Sequence, residues 1–439
     1  MNITNTRNIQ AEAGIFSSFF QSHRAWRWRI FAATWLCYAG LYFCRKPFYI
    51  TKSALSSHLN ISASTLGAIG AAYLVSYTIG QFISAFTGQR LGQRLLLLVG
   101  MGISVICNIV FGFANSPATF AIFMTLNGLV QATGWSGTVG VMANWFTRSE
   151  RGAVMGWWST NFQMGGVLAN ALAAWALGAF GFRYSYFLGS LVLLVVWIFF
   201  YFNQRNRPED LGLAPIVDEA PHEIEKLGQG KLGQEKLGWT RAAVTNILLL
   251  GVFYFFIKFI RYALWSWAPF LLSRNFSLSG SSAGYLSTLF DLAGMIGVIS
   301  IGYLSDRLFN SRRAGVSLIM IVVMTASALM LYTLGSSSLA MFSVAIALIG
   351  VTLYGPDSLL SGAAAMDVGS RRGATLAAGV INGMGSVGSV VQELIIGRMY
   401  DSRDGALGPI FIILFGASAL SAMALLVIVV RNRLGYSDV

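Results

Sequence analysis

Charge is scarce in this chain. Only 11% of its 439 residues are Asp, Glu, Lys or Arg, where a soluble globular domain carries about 25%. That deficit excludes a soluble protein. Cysteine is scarce too. Cys37, Cys44 and Cys107 lie in apolar runs without C-x-x-C spacing, which excludes a disulfide framework and a zinc site. The three histidines, His23, His58 and His222, are scattered outside the expected spans. No nucleophile–base arrangement and no phosphate-cradling Walker loop occurs, so neither an enzyme nor a cofactor is expected. No small-residue cleavage site follows the basic, aromatic segment from His23 to Arg29. The first apolar run therefore reads as a retained span.

What the chain has is hydrocarbon. It is 55% hydrophobic, with a mean hydropathy of +0.64. Apolar runs of about 20 residues recur, each long enough to cross about 30 Å of bilayer core. The 48 glycines suit helices that pack closely in lipid. Twelve spans are expected, at 28–50, 64–87, 93–114, 119–143, 152–178, 183–203, 244–272, 281–304, 315–335, 338–362, 373–398 and 406–430. The formal charge of +13 would suit a nucleic-acid partner. The basic residues fall mostly in short loops between spans, however, where they set topology, so the expected partner is the lipid bilayer and no nucleic acid. The loops after even-numbered spans carry them, and both termini are expected in the cytoplasm.

The two halves repeat. Gly88-x-Arg90-x-Gly92-x-Arg94 matches Gly302 to Arg307 at an offset of 302 − 88 = 214. Arg45 and Arg261 lie 216 apart, and Asn161 and Asn382 lie 221 apart. Weak repetition at a nearly constant offset marks a duplicated transporter bundle. The expected fold is an all-α membrane protein of twelve transmembrane helices in two pseudo-symmetric six-helix bundles. The bundles are expected at 28–203 and 244–430, with a cytoplasmic N-terminal segment at 1–27 and a tail at 431–439. Between them, 204–243 holds a period-five repeat, Lys226-Leu227-Gly228 to Lys236-Leu237-Gly238, and reads as a flexible cytoplasmic linker. A monomer is expected.

Charges inside the expected spans carry the function. Arg45, Lys46, Lys258 and Arg261 are basic, and Asp291, Asp357 and Glu393 are acidic, which gives 4 − 3 = +1 and favours an anion. A guanidinium at bilayer depth costs about 2.5–3.5 kcal/mol on insertion scales and usually faces an anion or a water-filled path. Two planar forks, Arg45 from one half and Arg261 from the other, could clamp a tetrahedral oxyanion. Tyr38 and Tyr42 share the face of Arg45, and Lys258 shares that of Arg261. Competing readings have Arg45 and Lys46 snorkelling from the end of a short first span, Arg261 paired with Asp291, and Glu393 structural beside Arg398. In the loops, Gly-x-x-x-Asp-Arg is expected to tie helix ends together as a gate. Its residues are Arg90, Arg94, Asp306 and Arg307, joined by Glu150 and Arg151, and Gln89 stands where the first half would carry an acid.

The chain resembles the major facilitator superfamily and, more narrowly, its organophosphate:phosphate antiporter family. The residues that carry this are Tyr38-x3-Tyr42-x2-Arg45-Lys46, Gly134-Trp135, Trp145-Phe146, Glu150-Arg151-Gly152, Gly165-Gly166, Arg261-Tyr262-x2-Trp265-x-Trp267, Asp291 with Ala293-Gly294, and Tyr354-Gly355-Pro356. The resemblance implies that Arg45 and Arg261 bind phosphate while the halves rock. Gln81 and Phe162 stand where glycerol-3-phosphate carriers of that family have Lys and His, Gln163 replaces an Asn, and Lys258 replaces a Tyr. Together with Lys46, Tyr262 and Asp291 these are the candidate substrate residues. The reading is an inner-membrane carrier that exchanges a small organophosphate or phosphonate for inorganic phosphate. Two alternatives stay open: a transporter-like sensor, and a proton-coupled carrier of another anion with Asp291 or Glu393 as the proton site.

Overall fold

Apolar periodicity and lipid leave the backbone one option, which is to satisfy its own hydrogen bonds within helices. The computed structural model is accordingly all-helical. It describes residues 23–147, 150, 154–155, 157–216, 241–308, 313–360, 374–402 and 407–434. The first half holds α1 (His23–Phe43), α2 (Lys46–Leu59), α3 (Ala63–Leu91), α4 (Gln93–Phe113), α5 (Pro117–Gln131), α6 (Thr133–Trp145), α7 (Thr160–Phe180) and α8 (Phe182–Asn203). The second holds α9 (Arg241–Asn275), α10 (Gly280–Leu308), α11 (Arg313–Leu334), α12 (Leu339–Leu359), α13 (Ala374–Ser402) and α14 (Leu407–Arg433). Ten helices are each long and apolar enough to cross a membrane. Two further spans are interrupted, α1–α2 at Cys44-Arg45 and α5–α6 at Ala132. The result is a multi-pass, twelve-span bundle.

The first span corrects the sequence reading. It does not end at 50 but breaks and continues to Leu59. Pro47, in the first turn of α2, explains the break: it lacks an N–H and its ring excludes the carbonyl four residues back. Arg45 is therefore buried at mid-span, with 7% of its surface exposed, and does not snorkel. The longer span also brings in Lys52, a buried cation that the shorter boundary left out.

The halves are joined at the end away from the termini, near the 59–63, 180–182, 275–280 and 402–407 connections. There Asp401 of α13 caps α3, accepting from Ala63 N (3.0 Å) and Ser64 N (2.8 Å). Ser53 of α2 donates to Ser273 of α9. Gly67 and Gly70 let α3 lie directly on Glu393 of α13, where a Cβ at either position would meet its carbonyl or carboxylate. Carried on at the same register, that antiparallel seam would set Tyr77 opposite Gly383. Instead Gly383 faces open space, and Gln81, one turn beyond Tyr77, is exposed. The two helices have parted toward the end that bears the termini.

Candidate functional site

The helix break builds the site. It frees the Cys44 carbonyl, and an orphaned buried acceptor must be satisfied. Asn108 Nδ2 of α4 and Asn127 Nδ2 of α5 each donate to it at 2.9 Å. Gln131 Nε2 donates to the Leu41 carbonyl at 3.2 Å and to Ser104 Oγ at 2.9 Å. That fixes the Gln131 amide, whose Oε1 accepts from Arg45 Nε at 2.9 Å and from the Tyr73 hydroxyl at 3.0 Å. The Arg45 fork is thus held at its root. Its plane is fenced by Tyr42, Tyr77 and Tyr73, whose ring centres lie 4.9, 5.0 and 5.6 Å away. One terminal nitrogen, Nη2, is buried with no hydrogen-bond partner.

Arg261 of α9 comes from the other half. Its Nη1 donates to Asp357 Oδ2 at 2.5 Å, and its guanidinium lies 4.6 Å over the Tyr354 ring. Asp291, its partner in the competing reading, is occupied elsewhere: it accepts from Tyr354 Oη at 2.6 Å and from Lys46 Nζ at 3.3 Å. Lys46 rests on Trp265, 3.8 Å from the ring centre. Glu393 does not pair with Arg398 either. It takes Lys52 Nζ at 2.9 Å and the hydroxyl of Ser266. Helix spacing alone could not give these pairings, because each joins different helices.

Arg45 and Arg261 line one small, partly open pocket of about 30 Å³, with Tyr42, Tyr73, Leu74, Tyr77, Tyr262 and Trp265. Two forks among five aromatic side chains suit a small oxyanion. Tyr262 sits in the field of Lys258, Arg261 and Arg45 together. The remaining candidates lie around this pocket. Lys46 and Asp291 form the buried pair behind Trp265. Lys258, a turn before Arg261, lies 5.2 Å from the ring centre of Tyr254 and 5.5 Å from that of Tyr262. Tyr38 packs on Tyr42, Trp135 and Trp158. Phe162 packs in the same cluster, and Gln163 Nε2 is buried without a partner. Gln81 continues the Tyr73–Tyr77 stripe at its exposed end. The sequence reading missed Tyr73, Tyr77, Asn108, Asn127 and Gln131. The signal was Pro47, since a proline after a buried arginine requires polar groups nearby to receive the freed backbone.

The loop candidates divide. Glu150 takes Arg27 through two bonds (3.0 and 2.5 Å) and accepts from Thr147 N (3.1 Å) and Oγ1 (2.8 Å). The Arg27 guanidinium and the Thr147 donors hold the Glu150 carboxyl down at about 2. Arg94 donates to the Tyr201 carbonyl at 2.6 Å and stacks on its ring, 5.3 Å from the centre. It thereby ties α4 to α8 within one half. Arg90 is exposed. Arg151 and the side chains of Asp306 and Arg307 lie outside the described residues.

Known proteins resemble this chain along most of its length. The chain is 28% identical over 409 residues to the membrane sensor protein UhpC of Escherichia coli, covering 92% of each. It is also 28% identical to sugar phosphate exchanger 3 of Xenopus laevis, covering 91% of this chain and 90% of that protein. A bacterial homologue of the human lysosomal transporter Spinster, solved in an inward-facing, unoccupied conformation, superposes with a TM-score of 0.69 at 16% identity, over 94% of this chain and 96% of that one. The described residues hold no cluster of His, Cys, Asp and Glu able to bind a metal. A Major Facilitator Superfamily model matches residues 34–393, and with the twelve-span bundle described above the chain belongs to that superfamily.

Proposed function

We propose that the protein is a secondary carrier of the organophosphate:phosphate antiporter kind. It moves a small phosphate ester or phosphonate across an inner membrane in exchange for inorganic phosphate. The observation that carries this reading is the pairing of Arg45 and Arg261, one from each half, in one aromatic pocket. A phosphoryl group there would accept from the unpartnered Arg45 Nη2 and from the Arg261 fork, and so draw the halves together. The two bundles at 28–203 and 244–430 would rock about it as units joined by the 204–243 linker, in a monomer. The similarity to a sugar phosphate exchanger supports the substrate class. Basic loops at the end bearing the termini support placing that end in the cytoplasm. The joined end then faces outward, and the pocket is reached from inside.

The test is exchange in proteoliposomes loaded with phosphate. Labelled phosphate should exchange, and Arg45→Lys or Arg261→Lys should abolish it, because an ammonium cannot donate two parallel bonds. Exchange that survives both changes removes the clamp. A second reading, a membrane sensor, is favoured by the similarity to UhpC over 92% of its length. A sensor would bind phosphate esters, seen as thermal stabilisation, without carrying flux. A proton-coupled carrier is disfavoured by the ion pairs that occupy Asp291 and Glu393.

A further inference from the structure

Counting charges in the completed span 1 changes the balance of the interior. Away from the span ends, five cations (Arg45, Lys46, Lys52, Lys258 and Arg261) and three anions (Asp291, Asp357 and Glu393) lie in the interior of the spans among the described residues, which gives 5 − 3 = +2. Contacts distribute this charge. Lys46 is matched by Asp291 and Lys52 by Glu393. Arg261 is matched by Asp357. What remains is one charge in each half. Arg45 meets only Gln131 and tyrosine rings. Lys258 meets only the rings of Tyr254 and Tyr262, with Asp357 and Arg261 the charged groups in its field. Arg261, for all its prominence, brings geometry but no net charge, because Asp357 cancels it.

An uncompensated charge at membrane depth is costly. Arg45 lines the pocket, and Lys258 lies just behind its wall, 5.5 Å from the ring centre of the lining residue Tyr262, so the two are best compensated together by a ligand of charge −2. A phosphomonoester or inorganic phosphate offers both charge states near neutral pH, since the second proton of a phosphomonoester leaves at about pH 6. A phosphodiester offers only −1.

We propose that Lys258 sets the charge of the cargo: with Arg45 it makes the cavity +2, so the carrier takes phosphate, phosphomonoesters and phosphonates as dianions and refuses monoanionic diesters. This deepens the organophosphate reading and rests on it. Each half then brings one net positive charge to the ligand, and the loaded centre is neutral when the halves rock.

The experiment measures half-saturating total phosphate for exchange in proteoliposomes at pH 5.5, 6.5 and 7.5, and repeats the series with methylphosphonate as competitor. The expected wild-type result is a half-saturation that falls about tenfold per pH unit below the ligand's own second pKa and levels above it. The midpoint should lie at higher pH for methylphosphonate, whose second proton is held more tightly. Lys258→Gln should flatten the profile and admit dimethyl phosphate as a competitor, and Lys258→Arg should restore the wild-type profile. A flat wild-type profile overturns the proposal. So do midpoints that coincide for the two ligands, which would report titration of Tyr254, Tyr262 or Asp357, and so does a Gln variant that keeps the wild-type dependence. The wild-type series decides the matter even if the Gln variant does not insert. Absence of any phosphate exchange or binding by the wild type would instead remove the parent reading.

Discussion

Lys52 of α2 and Glu393 of α13 form an ion pair at 2.9 Å in which neither side chain is exposed at all. Each comes from a different half, and Ser266 of α9 bonds to both. Trp267 closes one side, its ring centre 3.8 Å from Lys52 Nζ. A pair this dry gains little over an apolar contact but is costly to break one-sidedly. It joins the two halves near the joined end. Opening that end requires separating the charges or admitting water to both.

Removing one partner should be far worse than removing both. Lys52→Met leaves Glu393 buried and unpaired, at a cost of about 3–5 kcal/mol. The Lys52→Met, Glu393→Leu double variant should recover most of it. Thermal unfolding in detergent, run as a double-mutant cycle, measures this. A double variant as unstable as the single one would show that the site needs the ions themselves.

Gln131 holds Arg45 at its root, so Gln131→Leu should weaken phosphate binding while the bundle stays folded. The lost bond to a charged donor is worth about 1.5–3 kcal/mol, which corresponds to at least about tenfold in half-saturation. Because Tyr73 loses the same acceptor, its ring is freed as well. Unchanged half-saturation would mean that the three tyrosines alone orient the guanidinium.

Much of the fold was legible in the sequence because lipid enforces it. Run length gave twelve spans. The half-to-half offset pairs Arg45 with Arg261, and the two line one pocket. The pairings were not legible. Arg261 to Asp357, Lys46 to Asp291 and Lys52 to Glu393 all join helices distant in sequence, and no helical period reports which helix faces which. The omission of Lys52 has a different cause. An arginine followed by Lys-Pro looks like the end of a span, whereas the freed carbonyl at Cys44 is received by Asn108 and Asn127 and the helix resumes.

Asp357 bears on affinity in the opposite direction. Asp357→Asn removes the charge that cancels Arg261, and raises the cavity from +2 to +3. Phosphate should bind several-fold more tightly and leave more slowly, so exchange at saturation should fall as half-saturation falls. Equilibrium binding and exchange measured on the same preparation test this. Weaker binding would show that Asp357 serves chiefly to orient the Arg261 fork.

Glu150 gives a prediction at the surface. Its folded carboxyl titrates at about 2, below the usual value for glutamate of about 4.3. A depressed pKa means that the Arg27–Glu150 tether contributes fully above the unfolded value and is lost as pH falls toward about 2. The loop between α6 and α7 should therefore stay tied to the start of α1 across the physiological range. Glu150→Gln should lower the thermal midpoint by a constant amount from pH 6 to 8, and the gap to wild type should close progressively below about pH 4. The gap should be small, since the Glu150 side chain is 42% exposed and exposed pairs are screened. High salt should shrink it further at neutral pH. A gap that persists unchanged at pH 3 would mean that the Thr147 bonds, rather than the charge on Arg27, hold this loop.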